Sequence, residues 1–414
     1  MIHTRLLLAA GMVSMVIATG SNTLAEKAKL PEPGIPQSVG VQLKPAYTTP
    51  ELLDTLKDSG FRYVRHGFYV HGAMLGPGKF DWTKPDAIVK ECKERGLSLM
   101  GCIFYDNQKF GNVRTPEGIA AYAEFAGALA ERYKGQGIIW EIWNEPNTMT
   151  FWGKHGKVGN SEQYAKEYIA LLTPAVKAMK KADPDCFILG GSVSNFWSKS
   201  YEWTEFAFKH GILKTGIDCW SVHPYGMKTP EDTIEGYDIT RDLMKKYGGP
   251  MLPLVNSERG YKLGTGEGEI GGEESKRHEI QAWLFVRQQL VDLLVDSRIT
   301  IWYEAMGKEG FRLLDGDKKE KAMIAGEVMV DQLNGYALDK RLDLGNDRDF
   351  ALQFKNKYGG VKIVAWVARP RNRPLTKQSP ANSPSPSARR MANWSPRTFT
   401  VKQVKLKAAP GRFH

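Results

Sequence analysis

From about residue 38 to 335 the chain alternates short apolar, β-rich runs with longer amphipathic stretches. Eight runs read as strands: Ser38–Leu43, Tyr63–Arg65, Ser98–Phe104, Ile138–Asn144, Phe187–Gly190, Cys219–His223, Leu252–Asn256 and Ile299–Trp302. The stretches between them carry helix punctuation. Thr49-Pro50-Glu51 is an N-cap followed by proline at the first helical position, and Gly60 stops that helix. Thr115-Pro116-Glu117 repeats the device ahead of Ile119, Tyr122, Phe125 and Leu129, and Gly96 closes the helix Ala87–Arg95. Ser161 is read as the opening of a long helix through Tyr168 and Val176. Parallel strands need a crossover between them, so eight strand–helix repeats predict a parallel (β/α)8 TIM barrel over residues 26–335. A doubly wound open sheet would want a glycine-rich phosphate turn after an early strand, and the chain has none. The glycine-rich stretch Gly264–Gly272 is crowded by Glu267, Glu269, Glu273 and Glu274, which suits a loop over the barrel mouth better than a phosphate cradle.

Past the helical stretch Lys321–Leu333 the period changes from helical to two. Asp349–Phe354 alternates, Tyr358-Gly359-Gly360 turns, and Val361–Val367 alternates again, which is a hairpin. Thr398–Lys407 alternates once more. A small β-domain over 336–414 is therefore expected to follow the barrel, interrupted by the proline- and serine-rich run at 370–393, whose composition predicts disorder.

Charge changes the picture only in that tail. The chain carries +11, but residues 371–414 hold ten Lys or Arg and no Asp or Glu. The rest is nearly neutral, so no nucleic-acid-binding face is implied; the basic tail is suited at most to acidic glycans or the cell envelope. At the other end, Arg5 precedes an apolar run from Leu6 to about Ala18, and Thr23-Leu24-Ala25 offers small residues where a signal peptidase reads. Residues 1–25 are read as a cleaved export signal, which predicts a secreted or periplasmic protein with no transmembrane segment after cleavage. Cys92, Cys102, Cys186 and Cys219 are too far apart for a zinc pattern, and the eight histidines lack ligand spacing. Neither a catalytic metal nor a cofactor is implied.

In a barrel of parallel strands the chemistry sits at the C-terminal strand ends. Arg65 and His66 follow the second strand, Asn144 and Glu145 the fourth, His223 and Tyr225 the sixth, Glu258 the seventh, and Trp302 ends the eighth. Pro146 biases Glu145 towards the last extended position of its strand. Strict alternation puts His223 and Tyr225 on one face, and likewise Asn256 and Glu258. Two carboxylates across a barrel mouth are what glycosidic cleavage requires: an acid for the leaving oxygen, and a nucleophile or activated water for the anomeric carbon. Arg65 has two possible partners, Glu258 and the inward-facing Glu141.

The run Glu141-Ile-Trp-Asn-Glu-Pro-Asn147, His223-Pro224-Tyr225, Asn256-Ser-Glu-Arg-Gly-Tyr261 and Phe80-Asp81-Trp82, together with a C-terminal β-domain, resemble the clan A glycoside hydrolases, most of all family 39 and its relatives. The resemblance covers about residues 38–365. It implies a retaining glycosidase acting on β-linked oligo- or polysaccharide. Glu145 would be the general acid/base and Glu258 the nucleophile. Asn144 would bond the sugar 2-hydroxyl, Tyr225 would hold the nucleophile, Arg65 would keep it ionised, and His223 would be a supporting donor. Trp302 would stack on the sugar at the cleavage point, Trp152 would line an outer subsite, and Asn107, with Asp106, would reach sugar hydroxyls. A carbohydrate-binding barrel without turnover and a transglycosylase using the same residues are the alternatives. The sugar, and endo or exo action, are open at this point.

Overall fold

The computed structural model describes residues 28–105, 108–153, 162–266, 269–368 and 400–402. The expected signal segment, the run at 370–393, Asp106, Asn107 and Ser161 lie outside them. All eight expected strands are present as β1 (Val39–Gln42), β2 (Tyr63–Tyr69), β3 (Ser98–Phe104), β4 (Ile139–Ile142), β5 (Phe187–Ser194), β6 (Cys219–His223), β7 (Leu254–Arg259) and β8 (Ser297–Trp302). They close into a parallel barrel in the order β1-β8-β7-β6-β5-β4-β3-β2. Three strands run further than their apolar stretch suggests, β2 to Tyr69, β5 to Ser194 and β7 to Arg259, while β4 stops two residues short, at Ile142.

The intervening helices are α1 (Pro50–Asp58), α2 (Thr83–Arg95), α3 (Pro116–Arg132), α4 (Glu162–Ala182), α5 (Ser198–Lys209), α6 (Ile234–Tyr247), α7 (Glu274–Leu294) and α8 (Lys321–Leu333). Their ends follow the sequence signals. The Thr49 and Thr115 side chains accept from the Leu52 and Gly118 amides, each at 3.2 Å, satisfying donors that a helix start leaves orphaned. Gly96 ends α2 in the left-handed conformation, φ 65°.

The lower half of the barrel interior is a closed apolar layer. Tyr63, Met100, Ile139, Leu189, Cys219, Val255, Ile299 and Ile301 meet there and are buried. Strand β1 contributes Gly40, where a Cβ would fall 2.3 Å from Ile301 and 2.8 Å from Tyr63, so the neighbouring side chains occupy its place. Each buried aliphatic side chain of this size contributes roughly 1.5–3 kcal/mol. After the barrel, β9 (Tyr336–Arg341), β10 (Asp349–Asn356), β11 (Val361–Val367) and β12 (Thr400–Lys402) form a four-stranded antiparallel sheet in sequence order. Trp366 of this sheet donates from Nε1 to Glu231 at 2.6 Å, and Arg287 of α7 donates to the same carboxylate at 2.7 Å. That ties the sheet to the segment that follows β6.

Candidate active site

Strand β4 ends where the site begins. Trp143 and Glu145 both adopt left-handed backbone conformations, φ 68° and 47°, so Glu145 is not the last extended residue expected from Pro146. A side chain in that region costs on the order of 1–3 kcal/mol and persists only where its surroundings hold it. Here β5 holds it: the Glu145 amide donates to the Ser192 carbonyl (3.1 Å) and to Ser192 Oγ (3.0 Å). Ser192 can face β4 in this way because β5 is bulged. Gly190 pairs with Trp220 and Val193 with Val222, which leaves Gly191 and Ser192 opposite the single residue Ser221. Gly191 has φ 102°, and a Cβ there would lie 2.7 Å from the Ser221 carbonyl. Only glycine fits.

A second bulge aims the other carboxylate. Asn256 pairs with Thr300 and Arg259 with Trp302, so Ser257 and Glu258 together face the barrel opposite Ile301 alone. This overturns the expectation that Asn256 and Glu258 share a face. Asn256 points outward and donates to Asp292 of α7 at 2.7 Å, while Glu258 turns into the mouth.

Arg65, fully buried on β2, joins these parts. It donates through Nη1 to Glu258 Oε2 (2.9 Å) and Gln42 Oε1 (2.7 Å), through Nε to Glu141 Oε2 (2.8 Å), and through Nη2 to Asn144 Oδ1 (2.8 Å). Both partners open to Arg65 in the sequence are therefore real ones. Glu141 in turn accepts from Ser221 Oγ (2.7 Å), and Ser221 Oγ accepts from the Ser192 amide (2.8 Å). Removing one partner from such a buried ion pair typically costs about 3–5 kcal/mol. On the other side, His223 Nδ1 lies 3.0 Å from Glu145 Oε1 and Nε2 lies 3.0 Å from Ser257 Oγ. Tyr225 donates to Glu258 Oε1 at 3.2 Å. The result is one connected network of hydrogen bonds under the mouth, with Glu145 and Glu258 rising from it.

Oxygen atoms of the two carboxylates lie within 4.8 Å of each other, and the side chains are 11% and 14% exposed, respectively. That spacing sits near the about 5–5.5 Å of retaining carboxyl pairs and well short of the 6.5–9.5 Å that makes room for an attacking water. Burial pushes the Glu258 carboxyl above its usual range, the neighbouring Glu145 and Glu141 add to the rise, and Arg65 opposes it. Burial would raise Glu141 too, but there the Arg65 charge wins and holds the carboxyl below its usual range. The Tyr225 phenol is pushed up by burial and by Glu258, so it stays a hydrogen-bond donor. Glu145, His223 and Glu258 also place three donor atoms close enough for one cation. The fixed positive charge of Arg65 on Glu258 disfavours a second cation there, and each of the three is already engaged by a neighbour.

Several expected contributors sit elsewhere. Trp302 is fully buried on the outer face of β8, against Phe285 of α7 at 5.1 Å, with Nε1 donating to the Phe311 carbonyl at 2.9 Å; it cannot stack on a ligand. The next residue, Tyr303, is half-buried beside the mouth, where Lys44 Nζ lies 5.1 Å from its ring centre and 2.7 Å from Glu304. Trp152 is also core, 2% exposed, edge-on to Trp143 and donating to Glu167 at 3.0 Å. Asn107 lies outside the described residues. His66 faces outward, opposite in parity to Arg65, and burial lowers its pKa to about 4. Sequence reasoning passed over Gln42, Ser192, Ser221 and Ser257, which tie the charged groups together, and the wall formed by Tyr69, Phe104, Tyr105 and Phe151. In that wall Tyr69 stacks on Phe104 at 5.4 Å and Tyr105 on Phe151 at 6.3 Å. Gly190-Gly191-Ser192 was the one local signal for a bulge.

A family model described as Cellulase (glycosyl hydrolase family 5) matches residues 23–303. A β-xylosidase of Geobacillus stearothermophilus is 27% identical over 258 residues, half of this chain; the match spans about half the length of that relative (49%). Among solved structures, a family 39 glycoside hydrolase from Bacteroides cellulosilyticus superposes with a TM-score of 0.64 at 19% identity, covering 80% of this chain and 70% of that one. A family 39 β-xylosidase from Caulobacter crescentus gives 0.55 at 19%, covering 82% and 79%. At these identities the structural likenesses speak for the fold.

Proposed function

The chain belongs to the cellulase family of glycosyl hydrolases (glycosyl hydrolase family 5), in clan A, and from that membership we propose that it is an exported enzyme cleaving β-glycosidic bonds by double displacement through Glu145 and Glu258. The observation that carries this reading is the pair itself: two carboxylates within 4.8 Å at the open end of the barrel, held by unlike neighbours. Glu258, gripped by Arg65 and Tyr225, is the anion. Glu145, which touches His223, is the proton donor in this reading.

In the first step the Glu145 proton passes to the glycosidic oxygen as the bond from that oxygen to the anomeric carbon breaks. The leaving group departs as an alcohol, and a Glu258 oxygen bonds to the anomeric carbon. The negative charge of Glu258 is then gone, and Glu145 is left as the carboxylate. In the second step Glu145 takes a proton from water, whose oxygen attacks the same carbon and releases Glu258. Asn144, fixed by Arg65, would meet the sugar 2-hydroxyl. Tyr303 replaces Trp302 as the aromatic surface at the cleavage point. Export rests on the charged and then apolar N-terminus; among the described residues no helix is long and apolar enough to cross a membrane. A β-xyloside is the first substrate to assay, since the curated relative is named a β-xylosidase.

Glu258→Gln is expected to abolish turnover while leaving ligand binding in place. Glu145→Ala is expected to spare aryl glycosides with good leaving groups and to be accelerated by azide, yielding a glycosyl azide. An active Glu258→Gln preparation free of wild-type enzyme, or an azide-indifferent Glu145→Ala, would sink the assignment.

A further inference from the structure

Arg259 ends β7 one residue after Glu258 and is 1% exposed. Among the described residues no carboxylate pairs with it. Its guanidinium lies over the Tyr261 ring, 4.4 Å from the centre, and donates to the Tyr261 hydroxyl. The other bonds cross to the loop after β6. Nη1 donates to the Pro224 carbonyl, and Nη2 to the Met227 carbonyl at 2.9 Å. Nε has no partner among the described residues. The two carbonyls bracket Tyr225, whose hydroxyl donates to Glu258. A buried cation is tolerated only where its donors are satisfied. Lifting the loop off β7 would leave this one with Tyr261 alone, so the charge itself holds the loop down.

The loop is fixed on its other sides as well. The Phe196 amide donates to the Tyr225 carbonyl at 3.0 Å. Further along, Glu231 accepts from Arg287 of α7 and from Trp366 of the C-terminal sheet, and Asp232 pairs with Arg348, beside β10, at 3.2 Å. We propose that Arg259 is a positioning residue for the nucleophile: it locks the loop after β6 onto β7 and so keeps the Tyr225 hydroxyl on Glu258. This rests on the glycosidase reading above and deepens it. A donor on a carboxylate favours the ionised form, so Tyr225 works with Arg65 against the burial that raises Glu258. Arginine suits the task because its planar fork reaches two carbonyls at once, which the point charge of lysine does less well.

The test reads the Glu258 carboxyl directly. In protein labelled with carbon-13 at glutamate Cδ, the Glu258 resonance is the one missing from Glu258→Gln, and its titration gives the proton affinity. Tyr225→Phe, which removes the donor, is expected to raise that affinity about tenfold, the size of one hydrogen bond to a charged group. Arg259→Met should raise it by a similar factor with Tyr225 still in the chain. The double variant should titrate like Tyr225→Phe alone, since both changes remove one and the same bond. Arg259→Lys should fall between wild type and Arg259→Met, and it stands in for the latter if that variant does not fold. Glu258 is also faced by Arg65 from β2, Cys102 and Tyr105 from the end of β3, Glu141 and Glu145 from β4, His223 from β6, and Tyr303 and Glu304 from the end of β8. The Arg259 side chain bonds none of these, and an effect running through them would add to that of Tyr225→Phe. Full additivity in the double variant therefore overturns the proposal. So does an affinity within twofold of wild type in the Arg259 variants, or in Tyr225→Phe. On an aryl β-xyloside, then the glucoside and galactoside, the acid limb of kcat/KM should move in the same order. If Glu258→Gln still turns over, the glycosidase reading fails whatever the titration shows. An enzyme that depends on Glu258 but whose carboxyl is unmoved in the Arg259 variants sinks the lock alone.

Discussion

The barrel interior has two halves that obey different rules. Below, only apolar residues face in, and the layer of Tyr63, Met100, Ile139, Leu189, Cys219, Val255, Ile299 and Ile301 closes across a single slip of the ladder, where Arg298 and Ile299 stand opposite Val255. One step up the same strands the interior is charged and hydroxylic: Arg65 above Tyr63, Glu141 above Ile139, Ser221 above Cys219, Ser257 above Val255. At this level the ladder slips, between β5 and β6 and again between β7 and β8. The contrast has a physical cause. Apolar side chains need volume, which a regular pleat supplies. A nucleophile and a proton donor need set angles, which require extra inward-facing residues and left-handed backbone, as at Ser192 and Glu145. Two of the three slips of the ladder lie at the level where the chemistry is built.

The sharpest way to break this division is to remove a bulge. Deleting Ser257 leaves one residue opposite Ile301, takes the hydroxyl away from His223 Nε2, and drops Glu258 by about one residue's rise, roughly 3.3 Å. It can then no longer span Arg65 and Tyr225. The expected loss in kcat is about a hundredfold or more, with the circular dichroism of a folded barrel retained. Substantial activity in that variant would mean that the bulge does not aim the nucleophile.

The converse test lies in the lower layer. Ile299→Ala should cost about 2–5 kcal/mol of stability, read as a shifted denaturation midpoint, while kcat/KM of the folded enzyme stays near wild type. A loss of kcat/KM larger than the unfolded fraction explains would show that the two halves are coupled.

The mildest probe is pH. Glu258 must be ionised to attack, and burial raises its pKa above the ordinary 4.5. The acid limb of kcat/KM is therefore expected above pH 4.5. The sign for stability is opposite. A raised carboxyl binds its proton more tightly when folded, so its contribution to stability is complete below the unfolded pKa and is lost as pH rises through the folded one. Glu258→Gln should remove that slope. An acid limb at or below 4.5 would contradict the burial argument.

Much of this molecule was legible in its sequence, for reasons that separate along the same line. Each of the eight strands contains a short apolar run, and the pattern of a regular pleat can be read directly. Polar residues at strand ends also located Arg65, Asn144, Glu145, His223, Tyr225 and Glu258, which do come together in the mouth. What failed first was alternation carried across the β7 bulge. Asn256 was placed on the Glu258 face because the bulge was not visible. Trp302, expected to stack on the sugar, points into the helix layer. Trp152 went wrong for another reason: an indole in a loop reads alike whether it meets Trp143 or solvent. Asn147 closes the Trp-Asn-Glu-Pro-Asn run, and its side chain bonds the Ser194 backbone and Ser200.

The left-handed backbone at Glu145 also bears on how relatives of this chain drift. At φ 47° glutamate is a poor choice for folding, and glycine or asparagine would sit there with less strain. Under the proposed mechanism, the need for a proton donor keeps the carboxylate in place. A lineage that stopped turning over glycans would be free to relax, and its record would be Asn-Gly-Pro or Asn-Asn-Pro where this chain has Asn144-Glu145-Pro146. Position 145 then dates the loss of activity more reliably than the surrounding tryptophans, which the core would keep in either case.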